Sequence, residues 1–232
     1  MRVLGARASW IPALVVAVVC SAAPRAQALL LGTAPLAPGS SVIPTLVAPG
    51  TDPGTLLAVV SAPFTTSLGL NSGTLVSAVF QEAGGTLDFY YQVTNDATAP
   101  DCSPTTTPCD PLSRETDSSF AGFVTRVGFR TDGASLPDFV AGSVPPSTAD
   151  RSAVGSVVGF NFPAPSEQIQ PGQTSLVLVI STDATGFKAG NASVIDGGVA
   201  TVPSFAPTPE PASLLLLGSG LLALAAARQP RS

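Results

Sequence analysis

Apolar and polar positions alternate through the middle of the chain with the two-residue period of β-strands. Thr86–Thr94 shows it most cleanly. Leu87, Phe89, Tyr91 and Val93 fall on one face, and Asp88, Tyr90 and Gln92 on the other. Gly84-Gly85 just ahead predicts a tight turn, so residues 73–94 read as a hairpin. Phe120–Arg130 alternates too, with Ala121, Phe123, Val127 and Phe129 opposite Arg126 and Arg130, and stops at the turn chemistry of Thr131-Asp132-Gly133. Leu56–Val60, Phe139–Val144, Ser156–Phe162 and Val194–Val202 predict shorter strands. Ser175–Ser181 is apolar on both faces and predicts a central, covered strand. Between them Asn95–Ser118 reads as a long polar loop, Leu29–Gly54 as an extended leading segment and Pro203–Pro211 as a linker. Residues 55–205 show no helical period. The pattern predicts an all-β fold, one β-sandwich of Ig-like or jelly-roll-like kind over residues 55–205.

The two ends break this pattern. Met1–Arg7 is basic, Trp10–Ala23 is almost wholly apolar, and Ala26-Gln27-Ala28 puts small residues where a signal peptidase reads. Residues 1–28 therefore read as a secretory signal-peptide helix cut before Leu29. At the other end, Ala212–Ala227 carries no charge and Arg228 and Arg231 follow it. Sixteen helical residues reach about 24 Å, just short of a ~30 Å hydrocarbon core. The stretch suits transient membrane insertion as a helix, with the arginines on the cytoplasmic side.

Residues 206–232 also carry a residue-level signature: Pro209-Glu210-Pro211, the small pair Ala212-Ser213, a Leu-rich run interrupted by Gly218-Ser219-Gly220, and a terminal Arg cluster. This resembles the PEP-CTERM sorting signal of exopolysaccharide-producing Gram-negative bacteria. The resemblance implies an exosortase partner, a membrane-embedded protease or transpeptidase that removes the tail. It further implies transient anchoring in the inner membrane, then delivery to the cell surface or extracellular matrix, with exopolysaccharide as a further partner. Segments such as Gly85–Asn95, Arg126–Gly133 and Gly190–Ala200 are similar to parts of PEP-CTERM-anchored proteins without known activity.

Composition matters once both ends are set aside. Five basic residues (Arg114, Arg126, Arg130, Arg151, Lys188) and fourteen acids remain in Leu29–Ala206, a net charge of −9. Nucleic acid is excluded as a partner, since it needs clustered Lys and Arg. Two of the three cysteines remain, Cys102 and Cys109, and export predicts a disulfide between them. Closing so short a loop stabilises by about 2–3 kcal/mol at most.

Candidate chemistry is sparse. The chain has no histidine, which removes Ser-His and Cys-His nucleophile systems and His-ligated metals. No cofactor or metal site and no catalytic residue is expected, and the chain reads as non-enzymatic. Asp88, Asp132, Asp138, Asp183 and Asp196 lie near strand ends, where a carboxylate-based hydrolase would need two of them facing one cleft. Their ordinary role is in turns. Tyr90, the outward member of its strand, is the candidate ligand contact for the alternative reading, a carbohydrate-binding module of the exopolysaccharide matrix. Asn191-Ala192-Ser193 matches a glycosylation acceptor.

Overall fold

The computed structural model describes residues 32–102, 105–163 and 165–209. The signal-peptide and tail helices predicted above lie outside them. Among the described residues there are thirteen strands and one 3-10 turn, Gly133–Ser135. The strands are β1 Ala34–Pro35, β2 Ser41–Val42, β3 Thr45–Leu46, β4 Thr55–Thr65, β5 Ser72–Gln81, β6 Leu87–Asn95 and β7 Arg114–Ser118. Then come β8 Thr125–Arg130, β9 Thr148–Arg151, β10 Val157–Asn161, β11 Val177–Thr182, β12 Gly186–Asp196 and β13 Gly198–Thr208.

Two sheets pack face to face. One runs β1-β8-β11-β6-β5-β4, with β3 added parallel to β8, and the other runs β13-β12-β7-β10-β9-β2. All other strand pairings are antiparallel. The β5–β6 hairpin forms where the sequence places it, and Gly85 takes the left-handed conformation (φ 85°) its turn demands. β11 is central and wholly buried between β8 and β6, as its two-sided apolar run predicts. The main core joins both inner faces. Leu75, Leu87, Phe89, Tyr91 and Ile180 of the first sheet meet Val158, Phe160, Val194 and Val202 of the second.

Five local expectations are corrected. Arg114–Ser118, read as loop, is a central strand of the second sheet. Its inward positions are Glu115 and Asp117, so apolar alternation could not reveal it. The stretch Val194–Val202 is no single strand, because the chain reverses at Gly197 (φ 62°) and makes the β12–β13 hairpin. The predicted linker after Pro203 is the second half of β13, paired to Gly186–Asn191 as far as Thr208. Phe139–Val144 forms no strand and keeps one parallel bridge, Val144 to Ser175. The leading segment is part of the fold, since β1 and β3 pair with β8 and β2 with β9.

The first sheet is also covered on its outer face. Val47 from the leading segment and Leu136 and Phe139 after the 3-10 turn pack there on Phe80, Tyr90, Val177 and Val179. Arg130, 1% exposed, fastens this second layer. Its guanidinium donates to Thr51 O at 2.6 Å and Tyr90 Oη at 3.2 Å and pairs with Asp132 at 2.9 Å.

Candidate functional site: the junction between sandwich and tail

β13 leads to the C-terminal stretch read above as a sorting signal. Its inward positions Val202, Ser204 and Ala206 are buried against the first sheet. The Phe205 amide donates to Ser77 Oγ at 3.3 Å, and Tyr91 Oη donates to Phe205 O at 3.0 Å. Phe187 and Phe205 meet edge to face across the hairpin at 5.6 Å. The ladder continues through Phe187–Pro207 to Gly186–Thr208. Pro209, the first residue of the predicted motif, follows at once and is exposed. Glu210 and Pro211 lie outside the described residues, as do Ala26 and Ala28 of the signal-peptidase site.

Around Pro209 the end of the sandwich is built from loops. A groove of about 310 Å³ separates Pro209 from Ala121, Gly122, Phe123, Asp183 and Thr185. Asp183 accepts the Val124 amide proton at 2.8 Å and so locks two of these loops together. Behind them lies Arg151, 4% exposed. Its Nε donates to Gly155 O at 3.0 Å, Nη1 to Leu36 O at 3.2 Å, and Nη2 to Phe120 O at 2.7 Å and Phe123 O at 3.0 Å. Four carbonyl dipoles hold this charge, and desolvation lowers its pKa. Sequence alone gave Arg151 no role, because the carbonyls come from three separate loops.

The other predicted residues disperse. Cys102 and Cys109 are disulfide-bonded. Tyr90 is 0% exposed, which corrects its assignment as an outward sugar contact. The alternation is as expected, but the face it points to is covered. The five candidate aspartates sit apart. Asp88 is buried in β6, and desolvation holds its carboxyl well above the usual range. Asp132 pairs with Arg130, which pulls it down to about 2. Asp138 is exposed with φ 65°, Asp183 serves the junction, and Asp196 ends β12. Asn191 is exposed on β12.

The acid pair that sequence reasoning missed is Glu115 with Asp117. Both are 1% exposed and point into the core beside Tyr91. Desolvation raises Glu115 to about 8 and Asp117 well above its usual value, with Glu115 a further cause for Asp117. At neutral pH the pair therefore holds at least one proton. It is sealed from solvent and offers no cleft to a substrate. No group of three or more His, Cys, Asp or Glu residues that could hold a metal occurs among the described residues.

The family described as the PEP-CTERM protein-sorting motif matches residues 207–231. No curated protein and no solved structure matches the chain.

Proposed function

We propose that this chain, with a PEP-CTERM sorting motif at its C-terminal end, is an exported, non-enzymatic protein of the bacterial surface or extracellular matrix. The motif implies export and processing by an exosortase after transient anchoring in the membrane. In this reading the signal peptidase removes residues 1–28, the tail holds the folded sandwich at the outer face of the inner membrane, and the exosortase frees or transfers it. The observation that carries the reading is the coincidence of motif and fold boundary. The matched region begins at Pro207, and the last paired residue among the described ones is Thr208. Processing near Pro209–Pro211 would leave the sandwich intact.

A non-enzymatic role is supported by the dispersed aspartates and the sealed Glu115–Asp117 pair. The carbohydrate-binding alternative loses the aromatic residue it rested on. Mass spectrometry of the mature C-terminus in a Gram-negative host with an exosortase tests the proposal. Loss of Leu214–Ser232 is expected, and an exported protein that keeps this segment would refute it.

A further inference from the structure

The reach of the chain beyond β13 constrains how the sandwich sits while its tail is in place. Only Pro209, Glu210 and Pro211 separate Thr208, the end of the ladder, from Ala212, where the uncharged run begins. Fully extended, the path from Thr208 to Ala212 covers at most about 14 Å. If the apolar run is in the bilayer, as the proposed sorting route requires, the loops around Thr208 stand at the membrane surface.

Two of the eight exposed large hydrophobics among the described residues, Val124 and Val154, lie on this end of the sandwich. Ala121 and Val124 are exposed there with Phe123 half-buried, and the exposed Ala37-Pro38 and Ala153-Val154 continue this end toward the other side of the sheet, away from β13. Val124 is 49% and Val154 76% exposed. Arg151 binds carbonyls of all three loops from beneath, so they form one platform. The acids lie elsewhere. Asp96, Asp101, Asp110, Asp138, Glu167 and Asp196 belong to loops or strand ends toward the opposite end of the sheets. Asp52, Glu82 and Asp183 are at the near end, where Asp52 is exposed and Asp183 is engaged by the Val124 amide. A strongly acidic protein has thus turned most of its exposed negative charge away from the end its tail ties down. Near an anionic surface that arrangement lowers repulsion, which falls off over a Debye length of roughly 10 Å.

We propose that this end of the sandwich, the platform of Ala37-Pro38, Ala121–Val124 and Ala153-Val154, rests on the lipid–water interface of the bilayer while the tail is inserted. The proposal builds on the sorting route above and adds the surface and its partner. Small apolar side chains and a half-buried aromatic suit shallow contact that is released when the tail is cut.

Tryptophan scanning tests it. The secreted form, Leu29–Ser232, holds no tryptophan, because Trp10 is the only one in the chain. Single substitutions Val124→Trp, Val154→Trp, Leu68→Trp (exposed, at the far end) and Leu216→Trp (in the tail) are reconstituted in phosphatidylcholine vesicles with brominated acyl chains. The expected result is strong quenching at 124, 154 and 216 and none at 68. Quenching at 216 alone overturns the resting surface and leaves the sorting route standing. No quenching at 216 overturns both, since the tail is then not inserted. A blue shift at 124 and 154 that grows with protein concentration without lipid assigns the face to a second copy. Shielding that appears only when an exosortase shares the vesicle assigns it to that enzyme. Either result overturns the membrane assignment.

Discussion

Replacing Arg151 by methionine removes the four side-chain hydrogen bonds it gives to the junction platform while keeping a side chain of similar length. Its hydrogen bonds to Gly155 O, Leu36 O and Phe120 O are buried, and the fourth, to Phe123 O, is partly exposed. A buried carbonyl left without a partner costs about 1–3 kcal/mol. Phe120 O keeps the Phe123 amide at 3.4 Å, so the two orphaned carbonyls of Gly155 and Leu36 set an upper range of about 6 kcal/mol, and two effects reduce it. The loops can open to admit water, and the variant no longer has to desolvate a guanidinium. The expected net loss is about 3–4 kcal/mol. For a domain of this size each kcal/mol shifts Tm by about 2–4 °C, so a fall of roughly 10 °C is expected. Arg151→Lys should recover less than half of the loss, because one ammonium cannot span three loops as a planar fork does. Urea titration of Leu29–Ser232, followed by far-UV circular dichroism, gives the free energies. Arg151→Met within about 1 kcal/mol of the parent would refute the claim that these carbonyls depend on the arginine.

Three further outcomes follow from the structure. Stability should fall as pH rises from about 4.5 to about 8. Glu115 and Asp117 have raised pKa values in the folded state, so their contribution is complete below the unfolded value and is lost as pH climbs through the folded one. Glu115→Gln with Asp117→Asn should reduce that slope, with the buried Asp88 keeping part of it, while the lowered Asp132 still makes the protein weaken below about pH 4; denaturant midpoints across pH measure both. Tyr90→Ala should destabilise by about 3–5 kcal/mol in thermal unfolding, since it opens the outer layer between Phe80 and Phe139, and a neutral effect would return Tyr90 to the surface. Reducing the Cys102–Cys109 bond, seven positions apart, should cost about 2 kcal/mol by urea titration and leave the sheet signal unchanged, because it closes a loop outside both sheets.

Much of the fold was legible because burial follows the apolar pattern in β5, β6 and β11, alternating in β6 and two-sided in β11. There the inner positions are Leu, Phe, Tyr, Val and Ile, and the rule that apolar residues face the core holds. It fails for β7, whose core positions are Glu115 and Asp117 and whose outer ones are Arg114 and Thr116. A strand with acids inside looks like a polar loop. For Tyr90 the strand and its face were read correctly. The covering layer, assembled from Val47 and Phe139 nearly a hundred positions apart, leaves no local trace. Prolines misled at the end of the domain. Pro203 and Pro207 suggested a linker, yet both sit in β13, the outermost strand of its sheet, where a missing amide is tolerated. The sorting motif was readable because it is linear chemistry, whereas the platform beside it is a product of topology.

The flush ending of β13 has a mechanical consequence. A tether fixed near Pro209 and drawn along the strand would pull on the whole β12–β13 ladder, from Gly186–Thr208 to Asp196–Gly198, at the same time. Such a load shears many rungs together and does not peel them apart singly. A protein hung from that point would bear traction through the longest hairpin among its described residues.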